Sequence, residues 1–198
     1  MANSDTPFGF KPVKHLLGMP WNGKTTTYYI PASDSTGNMF VGDAVKSAGS
    51  ADSTGKFPSV AQVAAGDAAC GVIIGFGDNP NVMIHPDNPN RDYRPASTAM
   101  YCLVVDDPYV VFEVQEDSVA NSIAVTMVGL ATDVVVGTGS TTTGKSAMEL
   151  DSSDTATAAG QCRIMRLVNR EDNALGDHAK WEVLIAEHQF LSTISTDV

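Results

Sequence analysis

The stretch MYCLVVDDPYVVFEVQ, residues 100–115, decides the fold. Two runs of apolar, β-branched and aromatic residues, 100–105 and 109–115, flank the segment Asp106-Asp107-Pro108. Such runs favour strands, and an Asp-Asp-Pro segment between two of them is a turn signal, so the sequence predicts a β-hairpin. The second run alternates in polarity, which predicts a strand with one buried face and one solvent-exposed face.

Two other segments carry strand signals with irregularities. Residues 70–76, CGVIIGF, predict a strand whose glycines indicate a bulge or a close approach of another backbone. Residues 161–168 alternate between apolar and basic side chains, with a slip in the alternation at Met165. Short strands separated by turn signals are typical of antiparallel sandwiches and barrels.

The composition of the whole chain also favours sheet over helix. In 198 residues Val outnumbers Leu by 21 to 9 and Asp outnumbers Glu by 17 to 6. Val packs well on a pleated sheet, whereas Asp favours turns. One short helix is predicted within residues 117–130, where Ser118 is a candidate N-cap and apolar residues from Val119 to Met127 are spaced by four. We therefore expect a mainly β protein, an antiparallel β-sandwich or barrel with an extended N-terminal arm and at most one or two short helices.

The N-terminal segment is interrupted by Gly and Pro yet is rich in large apolar side chains. Six Gly and Pro residues within residues 7–23 exclude a helix there. Apolar surface left in water is unfavourable, so such an arm is expected to lie along a surface, either its own core or a partner. The sequence predicts an arm over 1–26 and a β-rich body over 27–198, with a division at 98/99 into two subdomains, 27–98 and 99–198, left open. The candidate contacts with a partner or a sister subunit are Phe8, Phe10, Leu16, Trp21 and Tyr28.

Charge and composition exclude several classes of protein. The formal net charge of −11 disfavours binding to nucleic acid, whose phosphates would repel the mean field of the chain. Residues 1–99 carry 7 basic and 8 acidic side chains, whereas residues 100–198 carry 5 and 15. No apolar run is long enough to cross a membrane, and we expect no secretory signal, because residues 1–7 contain no basic cluster followed by an apolar segment. Three cysteines, far apart in sequence, are expected to be reduced and buried.

The sequence matches motifs of known enzyme classes only in part. Residues 18–25, GMPWNGKT, match the spelling of a phosphate-binding loop, but strand-forming residues and Pro31 follow where the mechanism needs a helix N-terminus. Residues 137–144 contain glycines without dinucleotide-loop spacing. The four histidines show no metal-ligand spacing, and no catalytic constellation is recognisable. We expect no enzyme activity, no cofactor and no metal.

Several segments of the sequence resemble those of one protein family. They are TPFGF (6–10) with YYIP (28–31), YCLVVDDPYVVFEVQED (101–117), GKSAMELD (144–151) and NALGDHAKWEVLIAEH (173–188). In these the chain resembles the capsid cement or head-decoration proteins of tailed bacteriophages. The resemblance implies a β-rich body, often trimeric, that sits where capsomers meet and clamps neighbouring major capsid proteins. It implies no catalytic residues.

The expected function is therefore structural. The resemblance implies a virion protein, made in the host cytoplasm and located on the capsid surface, whose partners are the major capsid protein and itself as a homotrimer. Nucleic acid and membranes are not expected partners. Two alternatives stay open. One is a head-fibre or tail adhesin that binds surface glycans, which exposed aromatic side chains near Tyr93 or Tyr109 in a shallow groove would favour, and the other is a phosphate-loop nucleotide hydrolase.

Overall fold

Strands account for nearly all of the regular structure. The computed structural model describes residues 3–80, 92–119, 121–156 and 159–191. Within these ranges there are thirteen strands and a single short 3₁₀ helix at Val125–Met127. The strands are β1 (Lys11–His15), β2 (Thr26–Ile30), β3 (Met39–Phe40), β4 (Ala44–Ala51), β5 (Pro58–Gln62), β6 (Gly71–Gly77), β7 (Tyr93–Arg94), β8 (Met100–Val105), β9 (Val110–Gln115), β10 (Ala131–Val136), β11 (Met148–Ala156), β12 (Cys162–Leu167) and β13 (Lys180–Ile185). The prediction of a mainly β fold is confirmed.

A closed barrel forms the first half of the fold. Its strand order is β2-β5-β4-β6-β8, and all of its pairings are antiparallel except the parallel pair β2–β5. Closure removes the unpaired strand edges that an open sheet would expose. The barrel interior contains the apolar cluster of Tyr28, Ile30, Met39, Val45, Val60, Cys70, Ile73, Phe76, Met100, Cys102 and Val104.

A six-stranded antiparallel sheet forms the second half. Its order is β1-β9-β13-β12-β10-β11, so the N-terminal segment supplies an edge strand of the chain's own sheet. In the pairing of β1 with β9, Lys11 lies opposite Glu113 and His15 lies opposite Val110. The arm is therefore part of the folded body from Lys11 to His15.

The outer face of the barrel and the sheet share a second apolar core. Val72 pairs with Val105 on β6 and β8, and both belong to the cluster that contains Phe112 and Trp181 of the sheet. The next pair along, Ile73 with Val104, belongs to the cluster inside the barrel. Because successive strand residues point to opposite faces, β6 and β8 are buried on both sides. They form the wall between the two cores.

The predicted hairpin at 100–115 is wrong, although both of its strands exist. β8 pairs with β2 and β6 in the barrel, whereas β9 pairs with β1 and β13 in the sheet. Residues 106–108 therefore connect the two sheets instead of closing a hairpin. The predicted exposed face of β9 is also wrong, since all six residues of the strand are buried. Turn chemistry shows where the chain bends, but the partners of each strand depend on packing across the whole molecule.

The predicted helix at 117–130 is reduced to the 3₁₀ helix. Ser118 has a φ of 53°, and its hydroxyl accepts a hydrogen bond from the N–H of His178 at 2.6 Å. The residue therefore supports the loop before β13 instead of capping a helix. The several β-branched residues of this segment also lower its helix propensity.

The arm passes the barrel so closely that side chains are excluded at the contact. Gly9 has a φ of 72°, and an added Cβ there would lie 2.5 Å from Gly42 O and 2.5 Å from Ser146 Cβ. Gly42 has a φ of 98°, and its added Cβ would lie 2.6 Å from Phe8 O. The N–H of Phe10 donates to Gly42 O at 2.9 Å. Glycine is required at both positions for conformation and for space.

Replacing Gly9 by alanine should therefore destabilise the fold far more than the same change at Gly18. Gly18 also has a positive φ, 93°, but nothing lies within 4 Å of its added Cβ. Left-handed strain should cost each variant about 1 kcal/mol, and the clash should cost Gly9→Ala about 1–3 kcal/mol more. Urea denaturation of both variants measures the difference. Equal destabilisation would show that the arm does not pack against Gly42.

Candidate functional site

A buried glutamine fixes the start of the arm. Gln115, at the end of β9, donates from Nε2 to Ser4 O at 2.7 Å and to His178 O at 3.0 Å. Its Oε1 accepts a hydrogen bond from the N–H of Thr6 at 3.2 Å. One side chain thus satisfies backbone groups of the arm and of the loop before β13. The arm covers the face of β9 that the sequence predicts to be exposed.

The side chain of Asn3 extends this attachment. Its Nδ2 donates to Ala174 O and to Asp177 O, both at 2.8 Å, and its Oδ1 accepts from the N–H of Ala174 at 2.9 Å. A single amide therefore makes three hydrogen bonds to backbone of the 174–177 loop. The described part of the arm lies on the chain's own body from its first residue.

Two of the five candidate contact residues belong to the core, which corrects their assignment to an interface. Phe10 is 2% exposed and packs its ring edge-on against Phe112, with 6.2 Å between the ring centroids. Tyr28 is 4% exposed and donates its hydroxyl to Asp106 Oδ2 at 3.0 Å. Burial within the chain leaves neither side chain a surface that a partner could contact.

Phe8 and Trp21 are half-buried and line a groove between the arm, the barrel and the sheet. The groove has a volume of about 910 Å³. Trp21 packs against the shared core, and its Nε1 is buried without a hydrogen-bond partner among the described residues. The chain as a whole is acidic, but most of the charged side chains that line the groove are basic. The basic ones are Lys11, Lys145, Arg170 and Lys180, and the acidic one is Glu113.

Leu16 lies on an exposed apolar patch, which we define as Leu16, Leu17, Met19 and Tyr109. Their exposed fractions are 43%, 76%, 63% and 42%. The first three lie in the turn after β1, where Gly18 has a φ of 93°. Leu17 and Met19 are not among the candidate contacts predicted from sequence. The sequence signal for these two residues is that each is a large apolar residue next to Gly18, where the chain turns.

The turn that carries the apolar patch is held by hydrogen bonds. His15 N donates to Met19 O at 2.7 Å, Gly18 N donates to His15 O at 3.0 Å, and Leu16 N donates to Tyr109 O at 2.7 Å. The His15 ring lies 3.2 Å from Asp107 Oδ2. The turn is thereby attached to the 106–108 connection between barrel and sheet, and the patch is presented in a fixed geometry.

The phosphate-loop spelling at 18–25 does not have the required structural context. The residues that follow form the strand Thr26–Ile30, where a nucleotide-binding loop continues into a helix. The N–H of Gly18 donates to His15 O, and the N–H of Lys24 donates to Asn22 Oδ1 at 3.0 Å. These donors are therefore engaged within the loop.

Other reactive side chains are shielded or protonated. Cys70, Cys102 and Cys162 are buried, and burial raises the pKa of each thiol, that of Cys70 to about 12. Thiols with such pKa values are poor nucleophiles at neutral pH.

Tyr93 stacks on Phe40 with 5.5 Å between the ring centroids and 22° between the ring planes, so one face of its ring is covered.

One group of metal-ligating side chains is found in the part of the chain that the structure describes. It consists of Asp5, Glu149 and His178, whose ligand atoms lie within 4.8 Å of one another. The expectation of no metal rested on local spacing of histidines, and these residues are far apart in sequence.

No described helix has the length and apolar character needed to cross a membrane.

Comparison of the chain with protein-family models, with curated proteins and with solved structures found no match.

Replacing Gln115 by leucine should release the arm without removing β9. The variant leaves two carbonyls and one N–H without their partner, and a buried unpaired polar group costs about 1–3 kcal/mol. Hydrogen exchange measured by mass spectrometry should become faster in residues 3–10. The control is Gln189→Leu, which loses the hydrogen bond from Ser47 N at 2.8 Å but lies away from the arm. Unchanged exchange of the arm in Gln115→Leu would contradict the assigned role.

Proposed function

We propose that this protein is a structural virion protein that binds the outside of a tailed-phage capsid and stabilises contacts between major capsid protein subunits. The observation that carries the proposal is the apolar patch of Leu16, Leu17, Met19 and Tyr109. The resemblance in sequence to capsid cement and head-decoration proteins supplies the identity of the partner. The role is one of binding, with no chemical step.

The patch has the properties of a preorganised contact. Leu17 and Met19 are the most exposed of its residues, and burying a large apolar side chain completely contributes about 1.5–3 kcal/mol. The hydrogen bonds of His15, Leu16 and Gly18 fix the turn before any partner binds. Binding therefore loses little conformational entropy, and a larger share of the burial energy appears as affinity.

The chemistry of the patch favours a protein partner over a glycan. Three of its four side chains are aliphatic or thioether groups, and these make no hydrogen bonds to sugar hydroxyls. Tyr109 offers an exposed aromatic ring, but the His15 ring beside it lies 3.2 Å from Asp107 Oδ2 and is engaged there. A site for a sugar needs partners for its hydroxyl groups, because a polar group desolvated without a partner weakens binding.

Several copies of this patch on one capsid would bind more strongly together than a single patch of this size. As a homotrimer the protein would present three patches in a fixed arrangement. Once the first patch has bound, the other two bind at a high effective concentration. A contact that is weak for a single chain then becomes stable occupancy.

Leu17→Ser combined with Met19→Ser should greatly weaken binding to the capsid. Heads assembled from the major capsid protein encoded with this chain, and lacking the protein itself, would be mixed with each variant and sedimented. Loss of apolar burial at both residues should raise the concentration needed for half-occupancy by at least about tenfold, which corresponds to about 1.4 kcal/mol. Point variants are preferable to a deletion of residues 1–24, which would also remove β1 and the core residue Phe10.

The matched control is Val125→Ser, because Val125 is 64% exposed but lies away from the patch. It should occupy heads as the unaltered protein does. Light scattering of the free proteins distinguishes loss of self-association from loss of capsid binding. Normal occupancy by the double variant would disprove the role of the patch, and binding of that variant to host-cell glycans would favour the adhesin.

A further inference from the structure

The cluster of Asp5, Glu149 and His178 joins three separate parts of the fold. Asp5 belongs to the arm, Glu149 to β11, and His178 to the loop before β13. Their ligand atoms lie within 4.8 Å of one another, and His178 Nδ1 lies 3.9 Å from Asp5 Oδ1. The distance from nitrogen to oxygen is too long for a hydrogen bond. The three side chains converge without bonding to one another.

Two atoms of the cluster are buried and unpaired. Glu149 Oε1 and His178 Nδ1 have no hydrogen-bond partner among the described residues. Buried polar atoms in folded proteins nearly always have a partner, and an exception calls for a specific explanation such as an ion. Both atoms belong to residue types that ligate metals.

The cluster is also an uncompensated negative centre. The carboxylates of Asp5 and Asp117 lie close enough to the partly buried Glu149 to interact with it electrostatically. Asp117 Oδ1 accepts hydrogen bonds from the N–H and the hydroxyl of Ser152, at 3.1 and 2.6 Å. In the described chain no lysine or arginine forms an ion pair with Asp5, Glu149 or Asp117. A bound cation would supply the missing positive charge.

The backbone around His178 is held in place. The residue has a φ of 55°, its N–H donates to Ser118 Oγ at 2.6 Å, and its carbonyl accepts from Gln115 Nε2 at 3.0 Å. Gln115 also bonds the arm on both sides of Asp5, at Ser4 and Thr6. One glutamine therefore holds the backbone at or beside two of the three residues, as a preorganised site requires.

We propose that Asp5, Glu149 and His178 bind one divalent transition-metal ion, Zn²⁺, which joins the arm to the body. One imidazole nitrogen and two carboxylates suit Zn²⁺, whereas Ca²⁺ and Mg²⁺ prefer sites made of oxygen alone. A water molecule would complete a tetrahedral site. The proposal rests on this cluster alone and is independent of the proposed capsid binding.

Isothermal titration calorimetry of the chelator-treated full chain with Zn²⁺ at neutral pH tests the site. We expect one ion bound per chain and at least about tenfold weaker binding in Glu149→Gln and in His178→Asn, because each variant loses a ligand. Glutamine keeps the shape of glutamate, and asparagine tolerates the left-handed backbone of residue 178. The control, Asp154→Asn, makes the same change of charge at an exposed position on the same strand and should bind as the unaltered chain does.

A second measurement keeps the test valid if a variant is destabilised. Zn²⁺ should slow hydrogen exchange of residues 3–10 in the unaltered chain, whereas Ca²⁺ and Mg²⁺ should leave it unchanged. The proposal is overturned by the absence of stoichiometric Zn²⁺ binding, or by equal affinity in all variants, which would place the ion elsewhere. Binding of Zn²⁺ without any change in exchange of the arm would overturn the claim that the ion joins arm and body.

Discussion

The close contact of Gly9 with Gly42 is the constraint on which the rest of the structure depends. It brings the arm within hydrogen-bonding distance of the barrel, where Phe10 N meets Gly42 O at 2.9 Å. From there the chain enters β1, which pairs with β9 at the edge of the sheet. Both faces of β9 are buried, and the arm contributes to this through Phe10 against Phe112 and through its hydrogen bonds to Gln115. The turn after β1 is consequently held at a fixed place on the surface.

The connection at 106–108 has a second organising role. It passes from the barrel to the sheet, and its side chains bond to both sides, since Asp106 accepts from Tyr28 and Asp107 faces His15. Tyr109, the next residue, accepts the hydrogen bond from Leu16 N. The apolar patch is therefore built on the junction of the two sheets. The hydrogen bonds that hold the turn therefore connect it to the segment between the two sheets.

Local signals in the sequence predict strands and their irregularities well. Strands are found at 100–105 and 110–115. The register shifts of β6 between Ile73 and Gly75 and of β12 between Ile164 and Arg166 confirm the predicted irregularities. Pairing could not be predicted, because the partners of β8 and β9 depend on cores that form from distant segments. For the same reason no local sequence signal shows which aromatic residues of the arm enter the core, as Phe10 does, and which line the groove, as Phe8 and Trp21 do. Asp5, Glu149 and His178 likewise come together only in the folded chain.

The most direct test of the account is to find what the apolar patch touches on a capsid. A photo-crosslinking amino acid placed at residue 17, irradiated after the protein has bound to heads, would form bonds to its immediate neighbours, which mass spectrometry then identifies. The account predicts crosslinks to the major capsid protein. Crosslinks formed only within this chain, or to no coat subunit at all, would contradict it.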